Sequence, residues 1–415
     1  MNFVIKKMNP LVIIFSILLM QILYSCNGQS KNSPSSTTNP TATTTGKVGG
    51  DCEAGYCELI YFGLPKEINN VDTSAGWFET GRKLLVTGTV YHLDGKTPAA
   101  NAIVYFHHTD NNGYYSPGDG TAHNNTRHGH IRGWVKTDTD GRYNIYTIRP
   151  GAYPGVEDPE HIHLIIKELD IANEYWIDDL VFDDDPRLLP YRKTHPEKNP
   201  RCGSGTLRVL LNDSIQIAEH NIILGLNIPN YPKKNESKIS SGLNIGEDQP
   251  SFSPFHAYGP DKGSTACPVC KYGRYQGIIY FAGNKPNWSE IKTWLQFLEE
   301  QSIKNGKYLK VYFVYGGENS FNKNEQQTTL ENLGKELNIR HTALTFVPSW
   351  DDKKSEIYLN KINPEVENTF IVYKQRNIVD KFINLKPTTQ NFEALIATLN
   401  RTRSTFLNLP EPVHD

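Results

Sequence analysis

No charge of one sign dominates this chain of 415 residues: 43 Lys and Arg stand against 45 Asp and Glu, a formal net charge of −2. That balance gives no electrostatic case for nucleic acid as a partner. The apolar stretch 11–23 falls short of the roughly 20 residues that a membrane-spanning helix requires. Helical patterning is largely absent between residues 51 and 231. The pair Cys267 and Cys270 has no second C-x-x-C beside it, which makes a zinc site a poor reading. What is present is length enough for two or three domains, each able to bury a core.

Lys6 and Lys7 precede the 11–23 run, which reads as the apolar region of a signal peptide. Ser25 directly before Cys26 resembles the lipobox of bacterial lipoproteins. That resemblance implies a signal peptide over 1–25 and an acylated Cys26 holding the protein in a lipid bilayer, outside the cytoplasm. An ordinary cleaved signal with an incidental cysteine is the alternative. Residues 26–50 are rich in Ser, Thr, Gly and Pro and read as a flexible tether. Cysteine usage fits an oxidising compartment. Cys52 and Cys57 are close enough to pair, and Cys202 is left over.

Residues 51–231 read as an all-β antiparallel sandwich. Short strand-like stretches at 84–91, 102–107, 133–137, 143–148, 161–166, 206–211 and 222–228 are separated by turns such as Asp94-Gly95 and Asp140-Gly141. Seven of the 13 histidines fall between 107 and 163: His107, His108, His123, His128, His130, His161 and His163. His123, His128 and His130 read as solvated loop residues or as proton carriers at the mouth of a site. His161 and His163 are two apart on a strand and point to one face. Tyrosines flanked by Gly and Pro stand upstream, in Gly113-Tyr114-Tyr115 and in Pro150-Gly151-Ala152-Tyr153-Pro154. Two imidazoles and two phenolates make an unusual donor set, because zinc favours Cys, His and carboxylate. Phenolate is a hard, strongly donating oxygen that suits ferric iron.

These motifs, with Thr137-Asp138-Thr139-Asp140-Gly141-Arg142-Tyr143 and Leu180-Val181-Phe182-Asp183-Asp184-Asp185-Pro186, resemble the intradiol ring-cleavage dioxygenases over roughly residues 80–230. The resemblance implies a non-haem Fe(3+) enzyme that opens a catechol with O2 to a muconate-type dicarboxylic acid. It implies Tyr115, Tyr153, His161 and His163 as metal ligands, with Tyr114 the lesser candidate, and Tyr153 displaced when catechol binds. Arg132 is a candidate catalytic residue around that set. The chain departs from the family at Asp158, where an arginine is usual, and at Asp179, where a glutamine is usual. Carboxylates in place of a cation favour a neutral catechol over one carrying a ring carboxylate. A membrane-tethered sandwich that binds or displays a partner without chemistry is the competing reading.

A polar stretch over 232–250 reads as a linker. Beyond it, residues 251–415 alternate: strands at 277–281, 309–315 and 342–347, helices at 288–301 and 326–337, a hairpin over 369–373 and 378–385, and a closing helix at 389–399. This order resembles the thioredoxin fold. Cys267-Pro268-Val269-Cys270 invites a thiol oxidoreductase reading, yet it stands before the first strand instead of after it, and no proline precedes Thr369. A structural disulfide or a displaced redox pair are both left open.

Overall fold

The computed structural model describes residues 46–52, 56–118, 127–232, 239–316 and 321–403. The signal peptide, Cys26, most of the tether and His123 lie outside the described residues. No helix among the described residues is long and apolar enough to cross a membrane.

The strands of the first half are β1 (Val71–Thr73), β2 (Lys83–Tyr91), β3 (Ile103–His107), β4 (Arg132–Lys136), β5 (Arg142–Ile148), β6 (His161–Lys167) and β7 (Tyr175–Phe182). The short helix α1 (Leu188–Thr194) follows, then β8 (Thr206–Leu207), β9 (Leu210–Asn212), β10 (Ile215–Glu219) and β11 (Ile222–Ile223). One sheet runs β1-β5-β2-β10-β9, with β11 also on β2, and the other runs β4-β3-β6-β7-β8. Strand alternation builds the core between them. Leu84 and Val86 of β2 with Tyr143 and Ile145 of β5 meet Val104 and Phe106 of β3 and Ile162, Leu164 and Ile166 of β6. The expected antiparallel pairing holds for the central strands and needs correction at the margins. There β1 with β5, β10 and β11 with β2, and β8 with β7 pair in parallel. Long excursions separate these partners in the chain, and a parallel pair requires such a crossover.

Because alternate side chains fill the core, the in-between residues of β3, β4 and β6 face the other way. That outer face carries Tyr105, His107, Arg132, Trp134, His161, His163 and Ile165. Part of it is covered by Cys52 and the segment 56–62, and Cys52 and Cys57 form the expected disulfide. Cys57 and Ile60 pack there on Tyr105 and Ile165, with Trp134 and Trp176 alongside.

The second half has β12 (Phe255–Tyr258), α2 (Pro268–Tyr272), β13 (Gln276–Ala282), α3 (Trp288–Asn305), β14 (Leu309–Gly316) and α4 (Lys323–Glu336). It ends with β15 (Thr342–Val347), β16 (Asn368–Lys374), β17 (Asn377–Ile383) and α5 (Thr389–Thr402). The sheet order is β12-β15-β14-β13-β16-β17, parallel from β15 to β13 and antiparallel beyond. The side chains of β13 and β15 are buried on both faces, which explains why apolar residues predominate in both without alternation. Asn287 caps α3 by accepting the Glu290 N–H, and Thr388 caps α5 in the same way. Cys267 and Cys270 are joined as a disulfide ahead of β13.

The expected linker at 232–250 needs correction over its described part, 239–250. Gly246 donates to the Ile378 carbonyl at 2.8 Å and accepts from the Ser204 N–H at 2.8 Å, so it touches both halves. Ser241, Glu247 and Gln249 are buried. Polar composition suggested a loose chain, but these polar groups are paired within the structure, as buried groups must be. Ion pairs Arg208–Asp248, Lys374–Glu219 and Arg274–Asp183 add to the contact, and Thr44–Asp415 forms one unit.

Candidate metal centre

Two glycine loops, interlocked through their backbones, present the tyrosines. Gly113 and Gly151 both donate to the Asp110 carbonyl, at 3.1 and 2.8 Å, and Thr109 Oγ1 holds the Gly151 carbonyl at 2.7 Å. A Cβ on Gly113 would lie 2.1 Å from the Ala152 oxygen, and Gly113 has φ +87°. A Cβ on Gly151 would lie 2.6 Å from the Asn111 oxygen. Only glycine permits this approach, which is why each tyrosine follows one at a distance of two residues.

The four expected side chains converge. The Tyr153 hydroxyl lies 2.8 Å from the Tyr115 hydroxyl, 3.1 Å from His161 Nε2 and 3.2 Å from His163 Nε2. Donor atoms that share an ion at bonds of about 2.0–2.1 Å stand about this far apart. Tyr114 is exposed and takes no part. The outer nitrogens are occupied: His161 Nδ1 donates to the Pro159 carbonyl at 2.7 Å, and His163 Nδ1 to Asp179 Oδ1 at 2.7 Å. Each bond leaves the Nε2 lone pair aimed at the centre. His161, His163 and Asp179 also place one ligand atom each within 4.8 Å of one another. Asp179, however, is bonded to the nitrogen that faces away from the tyrosines, so it orients His163 and does not complete the donor set.

The electrostatics suit neutral imidazoles and a cation. Burial, then the neighbouring His163, pulls the His161 pKa down. Burial opposes the Asp179 charge, but His163 outweighs it and the carboxylate ends below its ordinary range. Burial and the adjacent Tyr153 push the Tyr115 pKa far above that of a free phenol. Its proton would leave only for a nearby positive charge, so a metal ion bound here would have to displace it.

A cavity of about 320 Å³ opens onto the cluster, lined by Tyr115, Tyr153, His163 and Asp179 at one end and by Ile165, Trp176 and Ile177 along a wall. His107 lines it as well, and so does His128, which is buried and not the solvated loop residue that was one of its two readings. Their rings stack at 3.6 Å, and His107 also stacks on His163 at 4.7 Å. Cross-strand register sets this row, because His107 of β3 lies opposite both His163 of β6 and Arg132 of β4. The strand phase of His107 was readable, but its neighbours were not. Burial takes the pKa of His128 down to about 4, and it meets the Tyr105 hydroxyl at 2.9 Å. Arg132 does not line the cavity. It lies one strand farther out, hydrogen-bonded to Tyr105 and 5.4 Å from the Phe62 ring. Asp158 is not a lining residue either.

Two further histidines of this stretch, His108 and His130, hold local structure. His108 is buried and satisfied by Thr109 and Thr147. His130 bonds the Ser116 carbonyl at 2.7 Å and pairs with Glu79, securing the loop next to Tyr115. Burial lowers the His130 pKa, but Glu79 and Ser116 outweigh burial and the net shift is upward. A raised pKa stabilises most below the unfolded value of about 6.5, and the gain is lost as pH rises through the folded pKa. His130→Gln should therefore lower the melting temperature more at about pH 5 than at about pH 8. An equal drop at both would remove the charge from the account.

Residues 63–190 match the family model described as Dioxygenase. Catechol 1,2-dioxygenase of Acinetobacter baylyi is 32% identical over 95 residues, 23% of this chain and 30% of that protein. Catechol 1,2-dioxygenase 1 of Acinetobacter lwoffii is 36% identical over 94 residues, 23% of this chain and 27% of the relative. The chain thus spans less than a third of the length of these two curated relatives. Among solved structures, the dioxygenase domain of a dioxygenase carbohydrate-binding protein fusion from Streptomyces sp. SirexAA-E is 20% identical, covering 39% of this chain and 91% of that one at a TM-score of 0.29. The matched residues 63–190 carry all four converging side chains.

Proposed function

We propose that the cluster holds Fe(3+) and that the protein is an intradiol dioxygenase opening a catechol with O2 to a muconate-type dicarboxylic acid. One observation carries this reading: the Tyr153 hydroxyl touches Tyr115, His161 and His163 at once. Bound there, ferric iron would supply the Lewis acidity that takes up both oxygens of a catechol. The chain's own residues do the rest. Tyr115 and Tyr153, as phenolates, offset the ferric charge, and Tyr153 as the hub is placed to take a catechol proton. Asp179 holds His163 in one tautomer. Ile165, Trp176 and Ile177 provide an apolar wall for the ring and exclude water along it. Arg132 acts from behind, through Tyr105 and His128.

Asp179 is a carboxylate on the cavity wall beside His163, where a ring carboxylate meets like charge, although Arg127 also lines the cavity. Initial rates should give a higher kcat/KM for catechol than for protocatechuate, and the reverse order would show that Arg127, not Asp179, sets the preference. The reading itself is tested on purified protein. Expected are bound iron at one per chain, red-brown tyrosinate-to-Fe(III) absorption, and O2 uptake matched by muconate-type product. A colourless protein that refuses Fe(III) would sink it.

Two readings reach beyond this segment. Acylation of Cys26 would anchor the enzyme to a bacterial membrane outside the cytoplasm, and radiolabelled palmitate should enter the wild type but not Cys26→Ser. The C-terminal lobe is read as thioredoxin-like, with Cys267–Cys270 as its structural disulfide.

A further inference from the structure

Two of the converging side chains adjoin an ionic knot, centred on a buried arginine, that the proposed chemistry does not use. Arg149 stands four positions before Tyr153, and Glu160 directly precedes His161. The Arg149 side chain is 2% exposed; its Nε reaches Glu160 Oε2 at 2.5 Å and its Nη1 reaches Asp184 Oδ1 at 2.7 Å. The guanidinium also lies 4.2 Å from the centre of the Phe182 ring. Asp185, itself buried, accepts the Glu160 N–H at 2.7 Å. Three segments thus meet on one planar cation: the approach to the Tyr153 loop, the start of β6, and the turn after β7. The C-terminal lobe reaches the same turn. Arg274 Nη2 lies 2.6 Å from Asp183 Oδ2, and Arg274 Nη1 donates to the Val209 carbonyl at 3.2 Å.

We propose that Arg149 is a positioning residue that sets the spacing of Tyr153 and His161, and that the fused C-terminal lobe steadies it through Arg274 and Asp183. The proposal rests on reading the cluster as a metal centre. A forked guanidinium can bond two carboxylates in fixed directions, whereas an ammonium supplies charge without that geometry. A donor set displaced by about half an ångström no longer fits its ion.

The test uses the full chain as Arg149→Lys, Asp184→Asn and Arg274→Met. Asp184 is partly exposed and Arg274 lies at the surface of the contact, so these two variants keep the question open should Arg149→Lys fold poorly. Fe(III) affinity is read by chelator competition. Arg149→Lys is expected to lose about 10- to 100-fold, the range typical of partners that orient metal ligands, with a shifted tyrosinate absorption. Asp184→Asn and Arg274→Met lose less, in that order. In the metal-free proteins, amide hydrogen exchange should quicken over residues 150–163 and stay unchanged elsewhere. Wild-type affinity, absorption and exchange in Arg149→Lys and Asp184→Asn would overturn the proposal, as would exchange that rises evenly over both lobes. Unchanged affinity and exchange in Arg274→Met would overturn the part given to the C-terminal lobe. Should the wild type itself take up no Fe(III), the functional reading falls, and the exchange pattern still decides whether Arg149 positions these segments.

Discussion

His161→Ala should reduce bound iron to background and abolish both the tyrosinate absorption and ring cleavage, with little loss of folded stability. The His161 ring contributes one Nε2 to the cluster and otherwise bonds only the Pro159 carbonyl through Nδ1, so its removal strands no buried charge. His163→Ala should lose iron equally but destabilise more, because Asp179 is left without the imidazole that holds its charge. Iron analysis, visible spectra and urea unfolding of the two variants side by side check this pair of outcomes. Retained stoichiometric iron in either variant would show that the ion is held elsewhere.

Gly113→Ala should cost about 2–5 kcal/mol of stability, combining left-handed strain with overpacking, and should lose iron besides. The added carbon would meet the Ala152 oxygen at 2.1 Å, backbone against backbone, with φ at +87°. Neither partner is a side chain that can rotate away, so the two tyrosine loops must part. Gly155→Ala separates strain from clash: Gly155 also has a positive φ, +81°, but nothing lies within 4 Å of its new carbon. It should cost only the strain, about 1–2 kcal/mol, and keep its iron. Equal losses in the two variants, measured by denaturant unfolding and iron content, would refute the interlock.

Much of the candidate centre was legible in the chain. Strand period places His161 and His163 on one face, and the two tyrosines stand out by their Gly and Pro flanks. Both are local signals, carried by steric rules that act over a few residues. The alternation of β3 and β6 likewise separated Val104, Phe106, Ile162 and Leu164 from the outer face. The partners of those outer residues were another matter. Asp179 stood out in the sequence as a departure from the family's glutamine, weighed only for its charge, but it is the hydrogen-bond partner of His163.

Local chemistry in the sequence therefore determined the strands, the turns and the four side chains suited to a hard trivalent ion. Tertiary structure alone decided that His107 stacks between His128 and His163, that Arg132 stands behind Tyr105, and that residues 239–250 bind two lobes together. It also decided the parallel pairing at the sheet margins and the meeting of Arg149, Glu160 and Asp184. The reason is physical. A residue's steric preferences are written in its near neighbours, whereas strand register and charge pairing are chosen by the packing of a whole core, between segments far apart in the chain.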